Sequence, residues 1–118
     1  ELMYQNEIAF EETDGRRLQA ASVVLNSLTQ TARSIFRQLA ESQMSDHPEG
    51  LPFQVLYTMC REQLLLSNEV TLRSHLGEFM DHDLVRLNQE SNQEGMQSLY
   101  SIPLRPSDVQ LVLTTVLN

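Results

Sequence analysis

The chain is 118 residues long, with 41% hydrophobic and 20% charged residues, which is the size and composition of one globular domain with its own core. Its 16 acidic residues face only 8 basic ones, all arginines, so the net charge is -8. Because DNA binding by an isolated domain draws most of its affinity from cations set against phosphates, this balance argues against strong autonomous DNA binding and permits a protein partner with a basic surface.

The beginning of the chain predicts a strand and a helix. In residues 3–10 the apolar Tyr4, Ile8 and Phe10 share one parity, which predicts a strand. Residues 16–28 predict a helix with Asp14 as its N-cap. The apolar face of this helix consists of Leu18, Ala21, Leu25 and Leu28. Since the sequence starts without a methionine, we expect a fragment of something longer, in which residues 1–28 precede the main domain, residues 29–118.

Two amphipathic helices open the main domain. Thr29 is a suitable N-cap for a helix over residues 30–43, and "SDHPEG" (residues 45–50) is a loop by composition. A second helix over residues 52–64 begins with Pro52 at its first position, where the missing N–H costs nothing. The predicted inward positions are Ala32, Ile35, Phe36, Leu39 and Ala40 in one helix and Phe53, Leu56, Tyr57, Cys60 and Leu64 in the other.

A third helix follows after the short turn "LLSN". It is predicted over residues 69–81, with Ser67 or Asn68 as its N-cap. Glu69 in its first turn suits the positive end of the helix dipole. The predicted inward positions are Leu72, Leu76, Phe79 and Met80.

Two strands and a last helix complete the pattern. Leu84–Leu87 predicts a strand, residues 88–95 a polar hairpin loop, and residues 97–104 a second strand whose pairing ends at Pro103. A last helix is predicted to open at Ser107, where Gln110 completes a capping box. Its apolar stripe consists of Val109, Val112, Leu113 and Val116.

The order of these elements predicts an α+β winged helix. Three helices with a short turn before the third, followed directly by a hairpin, form a helix-turn-helix core with a two-stranded wing. The N-terminal strand and helix and the C-terminal helix are additions to this core. Helix periodicity alone would fit any small bundle, so the hairpin carries the prediction.

Specific residues resemble a known family. "LYTMCREQLLLSNEVTLRSHLGEFMDHDLVRL" (residues 56–87) is similar to the C-terminal winged helix of origin recognition complex subunit 2, and residues 27–39 and 101–104 fall where that family has matching segments. The resemblance implies the tail of a nuclear replication initiator subunit, with an ATPase-like domain before it that does not bind nucleotide. Residues 1–28 would then join that preceding domain to the winged helix. It also implies neighbouring winged helices of other subunits that form a collar around DNA.

The candidate DNA contacts are few. Arg73, Ser74 and His75 lie on the third helix, off its apolar stripe, where they could face a major groove, and Arg86 lies on the wing. The alternative, which the acidic surroundings favour, is that these residues are ordinary solvated side chains or subunit contacts. The similar sequences carry lysines after the wing arginine, whereas Arg86 is followed here by uncharged residues and a glutamate. Residues 67–103 hold two arginines against six acidic residues, which predicts weak binding with a shallow salt dependence.

No constellation for catalysis or metal binding stands out. Cys60 lies on an apolar stripe, which favours a place in the core over a reactive thiol. The three residues of "DHD" (residues 81–83) are adjacent at a helix end and point in different directions, so they cannot share one ion. Gly77 in the third helix has two open explanations, close packing of a neighbour or partner, or a tolerated cost of about 1 kcal/mol.

We therefore expect a non-enzymatic module of the nuclear origin recognition complex that docks against other subunits. It would assist binding of double-stranded DNA weakly, or only in the assembled complex. No cofactor or small-molecule ligand is expected. No membrane association is expected either, because no apolar run approaches the ~20 residues that span a bilayer and no signal peptide is visible. The alternative is an autonomous DNA-binding winged helix of a transcription factor.

Overall fold

A computed structural model gives the fold, and the structure describes residues 16–92 and 95–117. This part of the chain contains, in order, α1 (residues 16–27), α2 (Gln30–Met44), α3 (Phe53–Glu62), α4 (Glu69–Asp81), β1 (Arg86–Asn92), β2 (Gly95–Ser101) and α5 (Pro106–Thr115). The order confirms the predicted winged helix, with α2–α4 as its core and β1–β2 as its wing. The strand predicted at residues 3–10 and the cap predicted at Asp14 lie outside the described residues.

Two predicted caps fix the starts of α2 and α4. The Thr29 hydroxyl accepts a hydrogen bond from the Ala32 backbone N–H at 3.2 Å. The Asn68 side-chain oxygen accepts one from the Thr71 backbone N–H at 2.8 Å, so Asn68 and not Ser67 is the cap of α4. Each bond satisfies a donor that the first turn of a helix otherwise leaves unpaired.

The core lies where the three central helices meet. Phe36 of α2 and Phe79 of α4 pack edge to face, with ring centroids 5.6 Å apart and planes at 86°. Around this pair the predicted inward positions are confirmed except at two places, Leu64 and Met80, of which Met80 is 38% exposed. The fully buried large side chains are Leu25, Ile35, Phe36, Leu39, Leu51, Leu56, Leu72, Leu76, Phe79, Val85, Val109 and Val112.

The end of α3 differs from the prediction. The helix stops at Glu62, and Leu64, predicted to face inward, is 90% exposed with a left-handed φ of 60°. The Leu64 N–H donates to the Arg61 carbonyl and the Leu65 N–H to the Cys60 carbonyl, each at 3.0 Å, which is the Schellman pattern. The chain thus reverses at Leu64, and Leu65 takes the place against the core. Pro52, predicted at the first helical position, is instead the N-cap residue.

The wing is longer than predicted. Its first strand begins at Arg86 and not at Leu84, and it continues to Asn92, through most of the predicted loop. Pairing runs from Arg86↔Ser101 to Asn92↔Gly95, so only positions 93 and 94 separate the last paired residues. Polar side chains bridge the strands: the Asn88 amide donates to the Ser101 hydroxyl at 2.8 Å and the Gln89 amide to the Ser98 hydroxyl at 2.9 Å.

A tight approach ties the wing to the loop before α3. Leu51 forms an isolated bridge with Tyr100, with both backbone N–H groups donating across it at 2.9 and 2.8 Å. Gly50 beside it has a φ of +110°, and a Cβ on Gly50 would lie 2.4 Å from the Tyr100 carbonyl oxygen. Only glycine therefore fits at this position without a backbone shift.

The start of α5 also differs from the prediction. Pro106 is the first helical residue and Arg105 the N-cap, without a side-chain capping bond, so the predicted box at Ser107 and Gln110 does not form. Proline suits the first helical position because its φ is preset and no N–H is needed there. Arg105 pairs instead with Asp108 at 3.4 Å.

Candidate functional site

Arg73 is engaged within the fold. It is exposed on α4, but its guanidinium carbon lies 4.1 Å from the centroid of the Phe53 ring, at the start of α3. A cation over an aromatic face at this distance is attracted by the ring's quadrupole, by roughly 0.5–1 kcal/mol at an exposed site. The predicted groove-reading arginine would therefore have to leave this contact in order to reach a base.

The Arg73–Phe53 contact belongs to a longer arrangement, here called the aromatic row: Arg73, Phe53, Tyr57 and Arg61. The Phe53 and Tyr57 rings are parallel within 5° at 6.2 Å, and the Arg61 guanidinium lies 5.7 Å from the Tyr57 centroid. The row joins α3 to α4 along a partly exposed face. This row was not predicted, although the spacing of residues 53, 57 and 61 places their side chains on one helical face.

The other two α4 candidates are placed differently from one another. Ser74 is exposed, as its position off the apolar stripe implies. His75 is partly buried, and its ring centroid lies 6.4 Å from that of Phe79. His75 thus packs in part against the core, while a DNA contact by either residue stays a prediction.

Arg86 on the wing is paired with an acidic residue. Its Nε lies 3.3 Å from Asp83 Oδ1 and its Nη2 lies 3.5 Å from Oδ2. Asp83 has a left-handed φ of 57° and ends α4 with a second Schellman pattern, in which the Leu84 N–H donates to the Phe79 carbonyl at 2.8 Å. Both charged side chains are about half exposed, so the pair adds little stability, but it places an anion beside the wing's cation.

The outer face of α4 is short of positive charge. Glu69, Glu78 and Asp81 are exposed on this helix, against the single cation Arg73. At Gly77 a Cβ would meet nothing within 4 Å, which rules out a neighbour in the described part of the chain as the reason for this glycine. A partner's approach and a tolerated cost remain as its two explanations.

Comparison with known proteins identifies the family. The family model for ORC2 WHD matches residues 43–108, which is more than half of the chain and includes α3, α4 and the wing. The chain belongs to the winged-helix family of origin recognition complex subunit 2.

Relatives and a solved structure are similar to this subunit-2 winged helix over most of its length. The chain is 51% identical over 88 residues to origin of replication complex subunit 2 from Oryza sativa subsp. indica, covering 74% of this chain and 22% of that protein. It is 42% identical over 108 residues to origin recognition complex subunit 2 from Xenopus laevis, covering 88% and 19%. A chain in the structure of Drosophila ORC bound to AT-rich DNA and Cdc6 matches with a TM-score of 0.70 and 32% identity, covering 81% and 31%. The present chain thus spans about a fifth of the length of these curated relatives.

The single cysteine of this subunit-2 winged helix is not a reactive thiol. Cys60 is fully buried, as predicted, and this burial raises the pKa of its thiol from 9.0 to about 11. Because the thiolate is the nucleophile, the neutral thiol is inert at physiological pH. Across residues 16–92 and 95–117, no three His, Cys, Asp or Glu side chains are grouped so that they could hold a metal ion. No helix in that part of the chain has both the length and the apolar character to cross a membrane.

Proposed function

We propose that this chain is a non-enzymatic docking module of the nuclear origin recognition complex. It contacts neighbouring subunits during replication initiation, and its contact with double-stranded DNA is secondary and requires the assembled complex. The observation that carries the proposal is that both candidate arginines are already engaged in contacts within the fold. Arg73 lies over Phe53 and Arg86 is paired with Asp83, on a surface otherwise rich in acidic residues.

The DNA part of the proposal follows from charge. Residues 67–103, which contain α4 and the wing, hold only two arginines. So few cations release few counterions, which gives low affinity and a shallow dependence on salt. The Drosophila match is a complex bound to DNA and Cdc6, which supports a place near DNA in an assembly. Residues 1–28 stay predicted as the connection from a preceding domain, although Leu25 within them is packed in the core.

Fluorescence anisotropy with duplex DNA across a salt series tests the secondary role of DNA. We expect a dissociation constant no tighter than the ~10⁻⁶ to 10⁻⁴ M of nonspecific binding at physiological salt. Nanomolar, sequence-selective binding would overturn the proposal and favour the alternative, an autonomous DNA-binding winged helix of a transcription factor.

Assembly from purified subunits tests the docking role. Co-purification of the chain with a neighbouring subunit's winged helix, in the absence of DNA, is the expected result. If association appears only when DNA is added, DNA and not a subunit holds the chain in place, and the docking proposal fails.

A further inference from the structure

Leu64 combines two features that the fold of the chain does not require. Its side chain is 90% exposed, the highest value among the large apolar side chains of the described residues, followed by Val70 at 76%. Both residues lie in or beside the connection between α3 and α4, six positions apart. Leu65 and Leu66 pack against the core, whereas Leu64 does not.

The backbone at Leu64 is also unfavourable for a leucine. It occupies the left-handed position of the Schellman pattern, with φ 60°, where glycine or asparagine is usual. The bonds from Leu64 to Arg61 and from Leu65 to Cys60 explain why the chain must reverse here. They do not explain a leucine, because a glycine would make the same two backbone bonds without the clash of a Cβ.

We propose that Leu64 is an anchor that inserts into an apolar pocket on a basic surface of another subunit of the complex. Large apolar side chains that fill a desolvated pocket supply much of the energy of a protein interface. This inference rests on the proposed docking function and names the part of the surface that performs it.

The charge of the domain indicates which kind of protein surface receives Leu64. The 118 residues carry a net charge of -8, so a second copy of this domain would be repelled, whereas a basic protein surface is attracted. Beside the anchor the acidic Glu62 and Glu69 are balanced by Arg61 and Arg73, so this attraction comes from the domain as a whole. The surface that receives Leu64 is therefore expected to be basic as a whole.

Two substitutions at Leu64 distinguish the contribution of its side chain to binding from its effect on the stability of the turn. Leu64→Gly and Leu64→Asn both suit a left-handed residue and both remove the apolar side chain. For Leu64→Gly we expect the ratio of folded to unfolded chain to rise about fivefold in a denaturation experiment, because the strain is relieved. Both variants should weaken binding of the full-length subunit to the other purified subunits, without DNA, by roughly tenfold to a hundredfold.

Val23→Asn is the matched control. Val23 is 65% exposed on α1, so the substitution removes an exposed apolar side chain from a different helix. We expect it to leave subunit binding unchanged. Equal binding by wild type and both Leu64 variants, or an equal loss with Val23→Asn, would overturn the anchor.

Photocrosslinking identifies what the anchor touches. With benzoylphenylalanine at position 64 of the full-length subunit, we expect a crosslink to another subunit, at a peptide containing basic residues, and none from position 23. A crosslink to a second copy of the chain, or none, contradicts the proposal. If wild type itself fails to assemble, the docking function fails. If wild type assembles but position 64 forms no crosslink, only the anchor proposal fails.

Discussion

Gly50, Gly77 and Gly95 sit in three different steric environments. Gly50 and Gly95 have left-handed φ values of +110° and +119°, but only Gly50 is crowded, by the carbonyl of Tyr100. Gly77 has ordinary helical geometry and open space where a Cβ would be. The same substitution at these positions should therefore give different results.

Alanine at each glycine tests this. We expect Gly50→Ala to lower the free energy of unfolding by about 2–4 kcal/mol, from backbone strain and a displaced wing. Gly95→Ala should lower it by about 1 kcal/mol, from strain alone, and Gly77→Ala should raise it by about 1 kcal/mol. Urea denaturation of the three variants measures these changes in the free energy of unfolding and so gives their order. A Gly50→Ala loss no larger than that of Gly95→Ala would mean that the approach to Tyr100 is not tight.

The raised pKa of Cys60 predicts how stability depends on alkaline pH. In the unfolded chain the thiol ionises near 9.0, whereas in the folded chain it ionises near 11. Below pH 9 both states hold the proton and the thiol adds no pH dependence. Between about pH 9 and 11 only the unfolded state releases it, so the free energy of unfolding falls.

Comparison with Cys60→Ala isolates this contribution, because the wild type and the variant share every other titratable group. The wild type should lose more stability than the variant between pH 9 and 11 in urea denaturation. Parallel curves would show that the folded chain tolerates the thiolate.

At the scale of the element, α4 depends on one buried position. Leu76 is 1% exposed at the middle of its apolar stripe. Leu76→Asp should abolish cooperative melting in circular dichroism, because an unpaired buried carboxylate costs several kcal/mol, comparable to the stability of a small domain. Ser74→Asp, on the exposed face of the same helix, should change stability by no more than about 0.5 kcal/mol. Equal melting of the two variants would mean that the helix faces are assigned wrongly.

The elements that were predicted correctly are those with local signals. Thr29 and Asn68 cap their helices through bonds to residues three positions away, and α4 has the predicted limits. The wing was predicted too short because its polar residues favour a loop, and pairing with a distant strand decides their structure. At Leu64 the apolar spacing suggested one more helical turn, but the burial of Leu65 ended the helix earlier.

The candidate site was predicted only in part. Its exposed members, Arg73, Ser74 and Arg86, could be read from helical and strand spacing. The partners that occupy the two arginines could not, because Phe53 is twenty positions from Arg73 and the Asp83 contact depends on a left-handed backbone after α4.

At the scale of the whole molecule, the net charge limits what the two site arginines can do. Arg73→Ala combined with Arg86→Ala should leave the fold intact, with a stability change under about 1 kcal/mol. In the assembled complex, the slope of log affinity against log salt should become shallower by roughly two, because two phosphate contacts are lost. Binding of duplex DNA by wild-type and variant complexes across a salt series measures the slopes.

Arg33→Ala combined with Arg37→Ala on α2 is the control, since it removes the same charge beside α5. It should leave the slope nearly unchanged. If the site variant also keeps the wild-type slope, neither Arg73 nor Arg86 touches DNA. A complete loss of binding with the site variant would show that this surface contributes more than two contacts.

The side-chain bridges across the wing have a consequence for how it behaves in changing ionic conditions. The bonds from Asn88 to Ser101 and from Gln89 to Ser98 join neutral groups. Dissolved ions screen formal charges and leave such bonds almost unaffected. The paired strands, residues 86–92 and 95–101, should therefore keep one geometry from dilute buffer to concentrated salt. If a complex held through the wing loosens as salt rises, the loosening takes place at the boundary between molecules and not within the paired strands.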